Sequence, residues 1–283
     1  MSARGREVRE VRAGDDKIPP GVKEEGGLQP ARPAFGGLKN LVNKENREWI
    51  SGWSWLIHGV VWLLLVAGLP LVVGFIRAQG DNPARDVNEI GALLYFVMGS
   101  VATVIAVVAK TQSAIIGEKQ MGTAAWVLSK PTSRKAFVLA KLVVHFRWLL
   151  ILTLGVPGVV FYAIMPAISG LPIPILPFLG GFGILALGML FYLALSLLLG
   201  AVFGSRGPVA ALVFGFFVGG VMLSQYAEWM TAAFPWLFWE SAYYLVAQSR
   251  EVAGIGISAI ILTAVWSAAL VAATLWSFER AEV

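Results

Sequence analysis

Polar and apolar positions divide this chain into a mixed-charge opening, a short amphipathic stretch and six long apolar runs. Residues 1 to about 36 intersperse both charges with Pro and Gly, as in IPPGVKEEGGLQPARPAFGG, and show no period, which predicts a disordered tail. Residues 37–51 (GLKNLVNKENREWIS) place Leu38, Leu41, Val42, Trp49 and Ile50 against Lys39, Lys44, Glu45, Arg47 and Glu48. Basic residues with Trp on such a short helix fit one lying in the membrane interface. The six runs follow at about 53–76, 90–109, 136–165, 178–203, 208–226 and 255–278. At 1.5 Å per residue, about 20 residues cross a hydrocarbon core of about 30 Å, so each run is long enough to span.

A seventh stretch, WMTAAFPWLFWESAYYLVA at 229–247, is also apolar, but it carries Pro235 and Glu240 near its middle. A charge at bilayer centre costs about 2.5–3.5 kcal/mol, and Trp and Tyr prefer the interface. This stretch therefore reads as amphipathic structure on the outer face, over 227–252. No internal repeat of convincing strength stands out.

Charge sets the orientation. With the N-terminus inside, nineteen Lys and Arg fall inside and three (Arg77, Arg85, Arg250) outside. That bias predicts six transmembrane helices with both termini cytoplasmic. The fold class is an all-α integral membrane protein with an amphipathic elbow helix at 37–52 and a short helix at the cytosolic surface. Composition agrees: 57% of residues are hydrophobic and 14% charged, where a soluble domain carries about 25% charged residues. Lys141 and Arg147, near the inner start of the third span, can snorkel to the surface. The polar opening and the length of the first apolar run argue against a cleaved secretory signal.

Candidate chemistry is sparse. Cysteine is absent, which excludes disulfides and thiolate sites. His58 and His145 are far apart in sequence and read as packed side chains, so no metal, cofactor or catalytic residue is expected. The stretch GEKQMGT at 117–123 nearly matches a phosphate-binding loop, but Thr123 stands where the lysine must be and no buried strand precedes it. Neither H-E-x-x-H nor G-x-S-x-G occurs. Membrane enzymes need paired carboxylates or His clusters facing a cavity, and no Asp or Glu lies in mid-span.

The polar connection between the second and third spans, over 110–135, carries the most information. Ile115, Ile116, Met121, Ala124, Ala125 and Leu128 recur at roughly helical spacing, predicting a surface helix from about Gln112 to Leu128. Pro131 ends it, and Thr132 or Ser133 caps the next helix. The result is a rigid elbow able to transmit a push.

In combination these residues resemble the cytosolic loop of the type-2 ABC exporter permease family. That loop reads apolar-apolar-x-Glu-x-x-x-Gly-Thr, then Leu-x-x-x-Pro and small-Arg, then a Lys in the next helix. Here it is supplied by Ile115-Ile116-Gly117-Glu118-Lys119-Gln120-Met121-Gly122-Thr123, by Leu128-Ser129-Lys130-Pro131-Thr132-Ser133-Arg134, and by Lys141. Lys44-Glu45 matches a Lys-Glu pair that similar members carry before the first span.

The resemblance implies that 53–283 is a permease domain of an ATP-driven exporter. It implies an ATPase-coupling set of Glu118, Lys119, Gly122, Thr123, Leu128, Pro131 and Arg134, with Lys44 and Glu45 on the elbow helix. ATP and Mg would be bound by a separate soluble ATPase, and two permeases would pair as a homodimer or heterodimer among membrane lipids, with no nucleic acid. Glu118 has two readings: a polar contact to the ATPase, or a partner of a local Lys. The alternative for the whole chain is a membrane scaffold or enzyme without an ATPase. The few polar residues in the spans suggest a mostly apolar path for an unspecified substrate.

Overall fold

The computed structural model describes residues 35–112, 114–120, 133–247 and 254–280, and among these there are helices and turns and no strand. Helix α1 spans Leu38–Ile50. The chain then turns at Gly52, whose φ of 76° is strained for any residue with a Cβ. The first span is built from α2 (Ser54–Trp62), a π-helical segment (Leu63–Gly68) and α3 (Leu69–Ala78). Pro83 precedes α4 (Ala84–Thr111), and α5 covers Ile116–Gln120. The third span joins α6 (Arg134–Leu149), a second π segment (Leu150–Gly155) and α7 (Val156–Ser169). Gly170, at φ 77°, closes it. Then come α8 (Ile175–Val202), α9 (Arg206–Ser224), α10 (Glu228–Thr231), a 3₁₀ turn (Pro235–Leu237), α11 (Phe238–Ala247) and α12 (Gly254–Arg280).

Six helices among the described residues are long and apolar enough to cross a membrane: Ser54–Ala78, Ala84–Glu118, Arg134–Ser169, Ile175–Val202, Arg206–Ser224 and Gly256–Arg280. They match the six predicted runs. The second begins a turn and a half earlier than the apolar pattern suggests, because an Arg85–Glu89 pair at 2.8 Å occupies successive turns of its polar start. The tail up to residue 34 and residues 248–253 lie outside the described residues.

The 229–247 stretch is not among these six: it is divided between α10, the 3₁₀ turn that begins at Pro235 and α11, and α11 packs along α4 and α8. Glycines on α8 admit that packing: an added Cβ would meet Phe96 at Gly181 (2.7 Å) and Phe238 at Gly188 (3.3 Å). At Gly220 on α9 an added Cβ would overlap the indole of Trp236, which is itself buried. By contrast Gly215 and Gly219 have nothing within 4 Å.

The two π segments share a cause and a sequence. LLLVAGLP (63–70) and LILTLGVP (150–157) follow one pattern, L-[LI]-L-x-x-G-[LV]-P, too short to register as a repeat from sequence alone. Proline at 70 and 157 offers no N–H to the carbonyl four residues back, so the turn widens by one residue. The Leu69 amide then reaches Leu64 O and the Val156 amide reaches Ile151 O, the same five-residue offset. Glycine at 155 leaves room for Leu150 O, which an added Cβ would approach to 3.2 Å. The Tyr95 hydroxyl donates to Leu154 O at 3.2 Å, satisfying a carbonyl beside the break.

Filling the Gly220 notch should displace Trp236. Gly220→Leu is expected to destabilise the purified protein in detergent by ~1–3 kcal/mol, the usual cost of overpacking. Gly215→Ala, in open space, should leave the melting temperature unchanged; equal losses in both variants would refute the Trp236 notch as the cause.

Candidate functional site

Three elements far apart in sequence meet at one buried group of charges. On α1, Leu41, Glu45 and Trp49 are buried at successive turns, so a carboxylate sits within the apolar stripe. On α6, Lys141 is 2% exposed. On α5, Glu118 is buried beside Ile115 and Ile116, which anchor the segment in the core. Lys141 Nζ donates to Glu45 Oε1 and to Glu118 Oε1, each at 2.8 Å. Lys44 Nζ donates to Glu118 Oε1 at 2.8 Å and lies 3.0 Å from Glu48 and 3.5 Å from Glu45.

Lys141 therefore does not snorkel as its position in the third span suggests. Its two carboxylate partners lie in the protein, and moving the ammonium to the surface would strand both of them. Arg147, which is exposed, instead donates to Asn46 Oδ1 at 2.5 Å, and the Trp148 indole donates to the same oxygen at 3.3 Å, clasping α1 to α6. Glu45, Glu48 and Glu118 bring carboxylate oxygens within 4.8 Å of one another. The Lys44 ammonium lies within 3.5 Å of all three and supplies the cation.

Electrostatics follow from this packing. Burial alone would push the Glu45 carboxyl up, but the charge and hydrogen bond of Lys141, with His145 and Lys44, outweigh it and hold the group below its ordinary 4.5. Burial likewise pulls Lys44 down, but Glu118, Glu45 and Glu48 more than offset it and raise the ammonium above its ordinary 10.5. Beside the charges, Trp49 stacks on Trp148 (6.2 Å) and meets the edges of His58 (5.9 Å) and His145 (5.7 Å). Trp62 Nε1 donates to His58 Nδ1 at 3.3 Å, so Nε2 carries the hydrogen that faces Thr153 Oγ1 at 3.3 Å.

The other predicted loop residues divide. Lys119 lies on α5. Gly122, Thr123, Leu128 and Pro131 lie outside the described residues. Beyond them, Ser133 caps α6 by accepting from the Ala136 amide at 3.0 Å. Its own amide donates to Gly36 O at 3.0 Å, bringing the start of α1 alongside. Arg134 Nη1 donates to Glu279 O at 2.8 Å, and Lys135 pairs with the Glu279 carboxylate at 3.1 Å, tying α6 to the end of α12. Gln120 donates to Gly204 O at 3.1 Å in the α8–α9 connection. The loop is thus braced on both sides to the ends of the helices around it.

A family model described as ABC-2 family transporter protein matches residues 39–283, nearly the whole chain and all of the helices above. This chain belongs to that family. Among curated proteins none matches it. It is a multi-pass membrane permease of the ABC-2 type, and the charge cluster joins the pre-span helix of this permease to the connection between its second and third spans.

Removing one member of the cluster leaves the others buried without compensation. Lys141→Met should destabilise the permease by ~3–5 kcal/mol, read as thermal unfolding in detergent. Lys141→Met combined with Glu118→Gln should recover part of that loss, and a double variant no better than the single would sink the pairing.

The pH dependence has a definite sign. Glu45, held below 4.5, contributes its full stability above 4.5 and loses it as pH falls through the lower folded value. Lys44, held above 10.5, contributes fully below 10.5 and loses this only as pH rises through its raised value. Melting should therefore be insensitive to this pair between about pH 5 and 10 and drop in acid. Glu45→Gln should flatten the acid limb; an unchanged limb assigns it to other groups.

Proposed function

We propose that the chain is the membrane-spanning subunit of an ABC exporter, driven by a separate soluble ATPase that binds ATP and Mg, and pairing with a second permease in the cell membrane. In this reading the end bearing the Lys–Glu cluster faces the cytosol, and both termini lie there, consistent with nineteen inward Lys and Arg against three. The segment from about Gln112 to Leu128 is the coupling helix, and α10 with α11 forms the outer-face segment.

The observation that carries the reading is the pair of hydrogen bonds that Lys141 donates to Glu118 and Glu45, each at 2.8 Å. Glu118 is the loop's hold on the rest of the protein. A displacement of α5 by the ATPase reaches α1 through Lys44 and α6 through Lys141, without passing through a flexible connection. The sequence offered Glu118 either an ATPase contact or a local lysine, and the bonds to Lys44 and Lys141 support the second. Lys119, Gly122, Thr123 and Leu128 are then the candidates for contact with the ATPase. Pro131 fixes the corner and Arg134 braces α12.

Reconstitution with the ATPase encoded beside it tests this reading. Gly122→Trp is expected to abolish ATPase association. Glu118→Gln should leave association intact while lowering ATP-driven export by about tenfold or more, because it removes a charge-assisted contact on the transmission route. Export that survives both changes would overturn the coupling role of this loop.

A further inference from the structure

Beside the cluster, a cavity of about 140 Å³ opens between α1, the start of α2, the end of α4 and α6, lined by Glu45, Glu48, Trp49, Ser54, Lys110 and His145. Its size suits a small polar group, being well below the ~300–1,000 Å³ that encloses a drug-sized ligand.

The cation in its wall is incompletely matched. Lys110 Nζ donates to Ser54 Oγ at 2.6 Å and sits 4.9 Å over the Trp49 ring. Among the described residues no carboxylate pairs with it. A half-buried ammonium satisfied only by a hydroxyl and an aromatic face lacks its anion. On the same cavity, the Glu48 carboxylate is 56% exposed and holds only Lys44 among the described residues. The pocket therefore offers a positive site at Lys110 and a negative site at Glu48 in one lining.

The surroundings indicate how the ligand is anchored. Immediately below Ser54, the first span turns Trp53, Ile57, Val60, Val61 and Leu64 outward, each 42–74% exposed. This is an apolar track that begins at the mouth of a charged pocket, at the level of an amphipathic helix that carries the buried Trp49. Acyl chains fit the track and a headgroup fits the pocket.

We propose that this pocket binds the headgroup of an aminophospholipid: the phosphate on Lys110 and Ser54, the primary ammonium on Glu48, and the acyl chains along α2. A purely anionic headgroup would bring no ammonium to the exposed side of the Glu48 carboxylate. A quaternary ammonium has no N–H to donate to a carboxylate. The lipid would then share Glu48 with Lys44, placing its headgroup one residue from the charge cluster.

The test uses the full chain purified in mild detergent, delipidated and returned to nanodiscs containing phosphatidylethanolamine, phosphatidylcholine or phosphatidylglycerol. Bound lipid is read by native mass spectrometry and stability by thermal unfolding. Phosphatidylethanolamine should be retained in preference to both others and should raise the melting temperature. Lys110→Gln and, independently, Ser54→Ala at an exposed position should each weaken its retention, Lys110→Gln by about tenfold. Glu48→Gln should abolish the preference over phosphatidylcholine while retaining phosphate-dependent binding. Equal retention of all three lipids by the unmodified chain overturns the proposal. So does wild-type retention by both Lys110→Gln and Ser54→Ala. Equal protection by soluble glycerophosphoethanolamine would assign the pocket to a free headgroup and overturn the lipid as occupant. These readouts need no ATPase, so they stand or fall separately from the coupling reading.

Discussion

Two ammonium groups and two carboxylates cannot be left unpaired in an apolar bundle, and that constraint fixes the arrangement at one end of this permease. Each ion withdrawn from water carries a desolvation cost of several kcal/mol, offset only by close and well-directed partners. Lys141 meets the requirement only if α1 brings Glu45 and the inter-span connection brings Glu118 to the same point. A short amphipathic helix and a five-residue helix would otherwise have few reasons to hold one position. Ile115, Ile116, Leu41 and Trp49 add apolar burial around the charges, and Asn46 with Arg147 closes the outer side. Apolar contacts make these elements adhere; the ion pairs set their register.

The rest of the bundle follows a different economy. Tyr95 packs against Phe96, Phe161 and Phe178 at 4.8–5.5 Å, and its hydroxyl donates to Leu154 O inside the second π segment. The aromatic faces of α8 and α9 close over Phe234 and Trp236. Some hydroxyls here bond within their own helix, as Ser267 does to Thr263 O and Thr274 to Leu270 O, while Tyr192 OH, Trp236 Nε1 and Thr263 Oγ1 are buried without a partner among the described residues.

Much of the fold was legible in the sequence because its signals are local. Run length gave the spans, Pro235 and Glu240 argued against a seventh, and Thr132 or Ser133 was expected as the cap of α6, which is Ser133. The cluster was less legible because its pairs are 96 and 23 residues apart, and no periodicity connects them. The connection between spans was singled out, and so were Lys44, Glu45 and Glu118, but as separate features. One available signal was passed over: Glu45 stands four residues from both Leu41 and Trp49, a carboxylate on the buried stripe of its helix. Such a residue requires a buried cation, and Lys141, flanked by Ala140 and Leu142, was the one to seek.

The doubled L-[LI]-L-x-x-G-[LV]-P turn also changes how the first and third spans should be counted. One inserted residue rotates everything beyond it by about 100° relative to a continuous α-helix. The face that α2 turns toward α1 and the face that α3 turns toward α4 and α7 are therefore phased independently. The same holds for α6 and α7. Each of these spans is two half-helices sharing one axis but indexed separately, so neighbours at the two ends of the bundle are chosen by different sets of side chains. A change of packing at the charged end can accordingly leave the packing grammar of the other end intact.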